Sequence, residues 1–346
     1  MSTLQKSIIT AVLLLITVLN GSILASDKPF AIAIHGGAGT IKKSNLTPEQ
    51  EKRFRAKLKE AVETGYNVLE QGGESLDAVI AAINVMENST LFNAAKGAVY
   101  TYSEEHELDA SIMDGKTRQA GAVAGVKRIE NPINLARLVM DKSVHVMLSG
   151  KGAEEFAQSE GVLLIDNKIF DTKHRLKSLK RAQAKLAVAQ LENADYQLAH
   201  KTLESHYKMG TVGAVALDKN GNIAAGTSTG GMTNKRYGRI GDSPVIGAGT
   251  FAENQSCAVS ATGHGEYFIR YNVAADICAR VKYQGKTIEQ AGNEVIHDVL
   301  MPVGGTGGVI IIDAKGNMSL PFNTEGMYRA SKSSVSPTYV GIYKTD

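Results

Sequence analysis

Residues 210–231 read GTVGAVALDKNGNIAAGTSTGG, and this stretch decides the fold. Two short apolar runs, 212–218 and 223–227, are separated by a polar turn that contains a glycine. Small and β-branched residues bounded by Asp, Asn and Gly predict two strands of a hairpin. The glycine content also changes at this point, since 15 glycines lie in residues 1–210 and 20 in the shorter part that follows. The sequence therefore predicts tight turns and close backbone approach after residue 210.

The composition is that of a globular protein and excludes several functional classes. Of the 346 residues, 43% are hydrophobic and 21% are charged, so a large core is possible and wholesale disorder is excluded. The formal net charge of +3 argues against a general nucleic-acid-binding protein. Cys257 and Cys278 are too few for a disulfide scaffold. Export would permit a disulfide between them, but we expect two buried thiols.

The N-terminus has the pattern of an export signal. Lys6 precedes an almost entirely apolar run at 8–19, and small residues follow up to Ala25. This run is shorter than the roughly 20 residues that cross a membrane, so it is typical of a secretory signal peptide covering residues 1–25. The sequence therefore predicts a periplasmic or secreted protein, with an uncleaved N-terminal anchor as the alternative.

Hydrophobic spacing predicts helices and strands that are intermixed along the chain. We expect helices at 48–71, from a Ser75 cap, from Pro132, at 265–282 and at 287–299, and strands at 30–34, 98–102, 122–129, 144–148, 212–218, 223–227, 245–250, 257–261, 309–313 and 317–322. Strands that pair as hairpins favour an α+β fold with antiparallel sheets over a doubly wound fold. Residues 162–209 contain no glycine and are rich in Lys and Arg, which predicts a polar, mobile, partly helical linker.

Two motifs, HGGAG (35–39) and GTSTG (226–230), would suit an esterase with Ser228 as its nucleophile. In an esterase the nucleophile turn leads directly into a helix, whereas Gly230 is followed by a segment without helical apolar spacing. The acidic run from Glu104 to Asp109 predicts a solvated surface segment. None of the histidines has the spacing of a metal site, so ordinary core or surface histidines are expected.

A different chemistry is available at Thr211. An N-terminal threonine supplies a hydroxyl nucleophile together with an α-amine, which titrates at about 7.7–8.0 and can act as the general base. The chain must be cut before Thr211 for this purpose, and Gly210 would leave its carbonyl open to attack by the threonine hydroxyl. A Gly–Thr step is common, so by itself it favours the ordinary interpretation, a loop that precedes a strand.

Residues 210–252 closely resemble the plant-type asparaginase/isoaspartyl peptidase family of N-terminal nucleophile hydrolases. Further matches follow in the order of that family along residues 30–343: HGGAG (35–39), LFNAAKGAVYT (91–101), ELDASIMDG (107–115), ATGHGE (261–266), GGTGG (304–308) and PFNTEGMYRA (321–330). The resemblance implies one domain, residues 26–346, folded as a four-layer αββα sandwich. It also implies self-cleavage between Gly210 and Thr211 into an α chain, 26–210, and a β chain, 211–346. The mature enzyme would then be a dimer of αβ units, a heterotetramer.

The resemblance also implies roles for individual residues. Thr211 would attack a side-chain amide carbonyl of aspartyl type, and Thr229 would hydrogen-bond the nucleophile. Arg239 and Asp242 would hold the substrate's α-carboxylate and α-ammonium, because an Arg–Asp pair complements both charges of a zwitterion. The remaining implied positions are an oxyanion hole at Thr262 and Gly263, and substrate contacts at Gly263, Gly265 and Asn93.

The activity implied is hydrolysis of L-asparagine and of β-aspartyl (isoaspartyl) dipeptides through a β-aspartyl ester on Thr211. No organic cofactor is expected, and no nucleic-acid or membrane partner after signal removal. A glycosylasparaginase is the alternative within the superfamily, although such enzymes usually have Asp before the cleaved Thr, where this chain has Gly210. A secreted binding protein that kept the fold and lost catalysis is the alternative of a different class.

Two departures from the family pattern lie beside the predicted site. A glycine of the family is replaced by Ala95 in a loop that resembles a structural sodium site. Its backbone carbonyl ligands would be those of Met86, Glu87, Ser89, Phe92, Ala94 and Lys96, and Ala95 narrows the backbone conformations available there. The second departure is His264, next to the expected oxyanion hole, which would change substrate preference or pH dependence unless it is a neutral replacement.

Overall fold

The computed structural model describes residues 28–191 and 210–346. The strands in these residues are β1 (Ala31–Gly39), β2 (Leu108–Asp114), β3 (Ala120–Val126), β4 (Met147–Ser149), β5 (Val212–Leu217), β6 (Ile223–Thr229), β7 (Thr250–Ala252), β8 (Ala258–Gly263), β9 (Gly307–Ile312), β10 (Met318–Ser319), β11 (Gly326–Ser333) and β12 (Ser336–Tyr343). The α-helices are α1 (Pro48–Glu70), α2 (Ser75–Glu87), α3 (Pro132–Lys142), α4 (Gly150–Ser159), α5 (Lys173–Leu191), α6 (Gly265–Arg270), α7 (Val273–Gln284) and α8 (Ile288–Asn293).

Two sheets stack face to face and carry helices on their outer faces. The larger sheet has the strand order β12-β11-β1-β5-β6-β2-β3-β4, and the smaller one has the order β10-β9-β8-β7. Neighbouring strands are antiparallel except for β3 and β4. Helices α1–α4 pack on the larger sheet, and α7 and α8 pack on the smaller one. The predicted α+β class is confirmed, with two sheets flanked by helices.

The central strands are buried on both faces because their side chains alternate between two cores. On β1, Ile32 and Ile34 belong to the core under helices α1 and α2, whereas Ala31 and Ala33 face the smaller sheet. All four side chains are fully buried. Small side chains on the face between the sheets allow the two layers to approach closely, and burial of apolar surface on both faces stabilises the strand.

The hairpin predicted from the opening stretch of sequence is confirmed. Strands β5 and β6 pair from Val212 opposite Ser228 to Leu217 opposite Ile223. The carboxylate of Asp218 closes the turn by accepting hydrogen bonds from two backbone amides at distances of 2.9 and 3.0 Å. This register places the residue before β5 and the last residue of β6 at the same end of the hairpin.

The helix predictions hold best where the capping signals are local. Helix α1 begins at Pro48 after a Thr47 capping box, as expected for residues 48–71. The predicted cap at Ser75 is wrong, since Ser75 is the first helical residue and its amide donates to Asp218. The helix expected at 265–282 is interrupted, because Asn272 adopts a left-handed conformation between α6 and α7. The amides at the start of α7 instead donate to carbonyls of residues 247 and 248.

Other segment predictions need correction. Residues 98–102 form no strand, and of residues 245–250 only Thr250 lies in one. The helix expected at 287–299 is α8 followed by a π-helical segment, Glu294–Leu300. Strands β2, β11 and β12 carry buried polar or exposed side chains that obscure the alternation, so the apolar pattern did not reveal them.

The segment predicted to be a mobile linker is ordered in its first half. Residues 173–191 form helix α5, which contributes the buried side chains Leu179, Ala182 and Leu186. The buried Arg175 donates from Nε to the carbonyl of Gly97 at 2.8 Å and attaches this helix to the loop after α2. The rest of the predicted linker, residues 192–209, lies outside the described residues, as does the predicted signal peptide.

The expectation of two thiols is wrong, because Cys257 and Cys278 form a disulfide. Cys257 immediately precedes β8 and Cys278 lies on α7, which packs over that strand. The spacing of 21 residues could not reveal this contact, since it depends on how the helix returns over the sheet. Among residues 28–191 and 210–346, no helix is long and apolar enough to cross a membrane.

Replacement of both cysteines by serine should lower the free energy of unfolding by about 3 kcal/mol, because the disulfide constrains a loop of this length in the unfolded chain. Denaturant unfolding of the oxidised wild-type protein and of the double variant measures this difference. Because the disulfide leaves neither cysteine as a free thiol, the oxidised wild-type protein should not react with a thiol reagent even after unfolding in denaturant. Equal stabilities, or two reactive thiols in the native protein, would contradict the prediction.

Candidate active site

A cleft opens where the ends of β5, β6 and β8 meet. The empty space within it is about 480 Å³, which includes open solvent at its mouth. The lining residues are Ala38, Asn93, Gly210, Thr211, Thr229, Gly231, Met232, Arg239, Gly241, Asp242, Ser243, Thr262 and Gly263. Gly265, a predicted substrate contact, is not part of this lining. From the loop predicted to bind sodium, residues 86–96, Asn93 is the residue that lines the cleft.

Thr211 and Thr229 contact each other at one end of the β5–β6 hairpin. Val212 lies opposite Ser228, so the residues just beyond this pair come together. Thr211 Oγ1 donates a hydrogen bond to Thr229 Oγ1 at 3.1 Å. Thr229 Oγ1 also accepts a hydrogen bond from the backbone amide of Gly231 at 3.0 Å. The proton of the Thr211 hydroxyl therefore points toward Thr229, and the oxygen lone pairs remain available to a reactant in the cleft.

The peptide before Thr211 is held between two loops. The amide of Asn93 donates to the carbonyl oxygen of Gly210 at 3.0 Å. On the other side, a Cβ atom at Gly37 would lie 2.0 Å from Gly210 Cα. Both glycines have positive φ angles, +114° and +92°, in a region that other residues rarely adopt. The HGGAG motif is therefore in direct contact with the Gly210–Thr211 segment. Neither Gly37 nor Gly210 has room for a side chain.

The side chain of Asn93 supports this arrangement. Its Nδ2 donates to the carbonyl of Gly231 at 2.7 Å, and its Oδ1 accepts the amide of Val99 at 3.0 Å. Its own carbonyl accepts the amide of Gly230. Asn93 thus ties the loop after α2 to the end of β6, and the substrate contact implied for it stays a prediction.

Arg239 and Asp242 line the side of the cleft away from the hairpin. Arg239 donates from Nε and Nη2 to the two carboxylate oxygens of Glu266 at 2.9 and 3.0 Å. Asp242 is buried, and its Oδ2 has no hydrogen-bond partner. Burial raises the pKa of Asp242 to about 7, although the nearby Arg239 opposes this. A buried carboxylate oxygen without a partner beside a guanidinium group is a suitable acceptor for a ligand ammonium.

Gly265 lies against this pair. A Cβ at this position would lie 2.8 Å from both Arg239 Nη2 and Asp242 Oδ1. The neighbouring His264 packs edge-on against Tyr267, and its Nε2 lies 3.5 Å from the Glu266 carboxylate. Sequence reasoning missed Glu266, although its position in the GHGE motif directly after the expected oxyanion hole was an available signal.

The prediction that the acidic run is a solvated surface is wrong for Asp109. This residue lies on β2 opposite Thr229, and its side chain is fully buried. Asp109 Oδ1 accepts the amide of Gly125 at 2.8 Å, and Oδ2 lies 3.9 Å from the buried Lys235 ammonium. The carboxylate also helps to hold Arg239 in its charged form. Only the pairing of β2 with β6 reveals this location.

Thr262 and Gly263 end strand β8 on another wall of the cleft. Thr262 is buried, and its Oγ1 accepts the amide of Ala38 at 3.3 Å. The two residues pair with Gly308 and Gly307 of β9, which belong to the GGTGG motif. Both lie on the cleft surface, and their oxyanion role stays a prediction.

The esterase alternative fails because Ser228 is fully buried. Its hydroxyl donates to Glu87 Oε1 at 2.6 Å. The Glu87 carboxylate also accepts hydrogen bonds from the Asn131 side chain at 3.0 Å and from the Ile133 amide at 3.2 Å. Burial raises the pKa of Glu87 to about 7.

The loop predicted to bind sodium follows α2. The carbonyl oxygens of Ser89 and Phe92 converge on Gly97, where a Cβ would lie 3.0 and 1.9 Å from them. Ala95 adopts a φ of +42°, so the loop keeps a left-handed residue despite the side chain. The carboxylate of Glu87 turns away toward Ser228, so this residue offers the loop its backbone carbonyl alone. Backbone carbonyl oxygens are ligands that a hard cation prefers, and the sodium ion at this loop stays a prediction.

Comparison with known proteins identifies the family. The family described as asparaginase matches residues 28–342. Isoaspartyl peptidase from Escherichia coli strain K12 is 50% identical over 313 residues, which cover 90% of this chain and 96% of that protein. Isoaspartyl peptidase/L-asparaginase from Xenopus laevis is 41% identical over 312 residues, covering 90% and 94%. The chain belongs to the asparaginase family, and the resemblance seen in the motifs is confirmed.

Replacement of Glu87 by glutamine should remove a pH dependence of stability. The pKa of Glu87 is about 7 in the folded protein against an ordinary value of 4.5, so the folded state binds the proton more tightly than the unfolded state. Its contribution to stability is fully present below pH 4.5 and is lost as the pH rises through 7. Glu87→Gln should therefore gain about 2 kcal/mol relative to wild type between pH 5 and pH 8.

Urea unfolding at the two pH values measures this gain. The exposed Glu155 supplies the matched control, because Glu155→Gln makes the same chemical change outside the core. A stability difference between Glu87→Gln and wild type that is the same at both pH values would show that the buried carboxyl does not titrate as proposed.

Proposed function

We propose that this protein hydrolyses isoaspartyl dipeptides and L-asparagine through an acyl-enzyme ester on Thr211. The observation that carries the proposal is one cleft in which the Thr211 hydroxyl, bonded to Thr229, faces the charged pair Arg239 and Asp242. The relatives at 50% and 41% identity bear the names isoaspartyl peptidase and isoaspartyl peptidase/L-asparaginase, which supports the same assignment.

The first step in this proposal is cleavage of the precursor by Thr211 itself. Its Oγ1 attacks the carbonyl carbon of Gly210, a C–O bond forms, and the C–N bond breaks to give an ester and a free α-amine on Thr211. Water then hydrolyses the ester and leaves a carboxylate on Gly210. The Asn93 amide, which donates to the Gly210 oxygen, would stabilise the negative charge that develops there.

In the mature enzyme, the α-amine of Thr211 acts as general base for its own hydroxyl. The hydroxyl oxygen attacks the β-carbonyl of the substrate, and donors at Thr262 and Gly263 stabilise the oxyanion, each worth roughly 3–4 kcal/mol. The leaving amine takes the proton, and water hydrolyses the β-aspartyl ester to release aspartate and free Thr211. No step requires an organic cofactor.

The pair Arg239 and Asp242 explains the substrate class. L-asparagine and isoaspartyl dipeptides both carry a free α-carboxylate and a free α-ammonium on the aspartyl residue, and both have an amide at the β-carbon. Arg239 would bind the carboxylate and Asp242 the ammonium, which fixes the β-carbonyl above the nucleophile. An ammonium beside Asp242 Oδ2 would lower the raised pKa of this carboxyl and supply its missing partner.

The two alternatives have less support. A glycosylasparaginase usually has Asp in place of Gly210, where a Cβ in this chain would lie 2.8 Å from the carbonyl oxygen of Gly36 and the backbone φ is +92°. A non-catalytic protein would have no need for the contact of Thr211 with Thr229 beside the charged pair.

We also propose that the protein is exported, cut at residue 210 within a single domain, and assembled as a dimer of αβ units. The disulfide Cys257–Cys278 supports an oxidising compartment, in agreement with a signal peptide at residues 1–25. The convergent carbonyls of Ser89 and Phe92 support a structural sodium ion in the loop after α2.

The variant Thr211→Ala should remain a single uncut chain and should hydrolyse neither asparagine nor isoaspartyl-leucine. Wild-type protein should give a fragment that begins at Thr211, identified by its mass, and should turn over both substrates. Thr211→Ser retains a hydroxyl and an amine, so it should be cut and active at a reduced rate. An uncut wild-type chain with full activity, or an active Thr211→Ala variant, would overturn the proposal.

The variant Glu266→Gln should raise the KM for asparagine about tenfold with a smaller effect on kcat. Loss of the carboxylate leaves the guanidinium of Arg239 without its bidentate partner, which weakens binding of the substrate's α-carboxylate in ground and transition states alike. Steady-state kinetics measures both constants, with Glu289→Gln on the exposed side of α8 as the control. An unchanged KM would show that Glu266 does not hold Arg239 for the substrate.

A further inference from the structure

His35 lies beneath Thr211, between the two sheets. It is the fifth residue of β1, and its side chain is fully buried. Its Nδ1 lies 3.0 Å from the carbonyl oxygen of Thr211, and its Nε2 lies 2.9 Å from Ser260 Oγ on β8. Gly213 makes this contact possible, since a Cβ there would lie 2.0 Å from Ser260 Oγ and 2.4 Å from His35 Nε2. Each ring nitrogen therefore has a specific partner.

These partners determine which nitrogen of His35 carries the proton. A carbonyl oxygen can only accept, so Nδ1–H donates to the Thr211 carbonyl and Nε2 accepts the hydroxyl proton of Ser260. Burial lowers the pKa of His35 to about 3, so the ring stays neutral. The same tautomer is thus kept across the pH range in which an N-terminal amine would serve as a base.

Ser260 connects His35 to a chain of buried hydroxyl groups. Ser260 Oγ lies 2.7 Å from Thr227 Oγ1, which lies 2.6 Å from Thr250 Oγ1. Ser260 Oγ donates its proton to His35 and can accept from Thr227 Oγ1, whose single proton has a second acceptor in the carbonyl of Gly249 at 3.1 Å. Donation from Ser260 to Nε2 polarises the ring, which strengthens the donation from Nδ1 to the Thr211 carbonyl.

The hydroxyl groups that begin at Ser260 extend to the loop that carries Asp242. The single hydroxyl proton of Ser111 can go either to Thr250 Oγ1 at 2.8 Å or to the carbonyl of Ser243 at 2.6 Å. Ser243 directly follows Asp242 and lines the same cleft. A series of hydroxyl contacts from both sheets therefore extends from His35 to the backbone of Ser243, without one continuous direction of donation.

We infer that His35 is a positioning residue for the reaction, which holds the carbonyl of Thr211 so that the hydroxyl and α-amine of this residue stay aligned on the substrate. The inference rests on the proposed function of Thr211. Cleavage turns Thr211 into a chain end, and chain ends are poorly ordered unless they are tied down. The hydroxyl and amine take part in the chemistry, so the carbonyl is the group that can be held without blocking either one.

The expected effect is on kcat. A displacement of about 1 Å between reacting atoms costs on the order of 100-fold in rate. His35 does not line the cleft and contacts neither Arg239 nor Asp242 by the bonds described, so substrate binding should be little affected.

Two variants of His35 separate the positioning role from packing. Asparagine places an amide group near the position of Nδ1 and can still donate to the Thr211 carbonyl. Glutamine places its amide near the position of Nε2, so it keeps a contact with Ser260 and loses the donor to Thr211. Both substitutions remove the ring, so a merely structural role predicts similar losses for the two.

The experiment measures kcat and KM for asparagine per mole of chain that begins at Thr211, together with the rate of processing and the thermal stability. His35→Asn should stay within about threefold of wild type in kcat, whereas His35→Gln should fall about 10- to 100-fold in kcat or in processing rate with KM within about threefold. Thr211→Ala and wild type are run in parallel as controls.

Agreement between the two His35 variants within threefold in both rates would overturn the inference, and so would a rise in KM at constant kcat. An uncut wild-type chain, or activity in Thr211→Ala, would instead overturn the proposed function. The two failures are therefore distinguishable.

Discussion

The register of β5 at the centre of the larger sheet is the constraint on which the rest of the structure depends. This strand pairs with β1 so that Gly213 lies opposite His35, and with β6 so that Val212 lies opposite Ser228. A shift of one residue would exchange the two faces of the strand and turn its side chains into the opposite core. It would also move the Thr211 carbonyl away from His35 and the Thr211 hydroxyl away from Thr229. Apolar burial on both faces is therefore what specifies the geometry of the nucleophile.

Buried carboxylates lie in the layers around this strand and differ in the partners available to them. Glu87 has three donors, and Asp109 faces Gly125 and Lys235. Oδ2 of Asp109 and Oδ2 of Asp242 are both buried without a hydrogen-bond partner, but Asp109 Oδ2 lies 3.9 Å from the Lys235 ammonium, whereas Asp242 lines the cleft. Burial of an unpaired polar group costs free energy, which a folded protein retains where a function requires it. The contrast with Glu87, whose pKa is also raised, singles out Asp242 as the carboxylate arranged for a ligand.

The sequence predicts those parts of the fold whose signals are local. Helix α1 follows from its apolar spacing, and strands β5 and β6 follow from two short apolar runs around a turn that contains a glycine. The site residues could be named because the motifs around them are long and specific. The disulfide, the burial of Asp109 and the pairing of Arg239 with Glu266 could not be predicted, since each joins segments whose contact depends on the packing of distant elements. The break at Asn272 was hidden for a related reason, because the first amides of α7 bond to the loop at 247–248 instead of extending α6.

In the proposed mechanism, one nucleophile serves two reactions that use donors from different elements. The amide that faces the Gly210 carbonyl belongs to Asn93, in the loop after α2, whereas the donors expected for the substrate oxyanion end β8. Gly210 itself lines the cleft, so its departure after cleavage would enlarge the space in front of Thr211. The groups common to both reactions are then Thr229 and His35, which contact the hydroxyl and the carbonyl of Thr211 rather than either acyl group. A nucleophile held through its hydroxyl and its carbonyl can keep its orientation while the acyl group that it attacks changes from a glycyl peptide to an aspartyl amide.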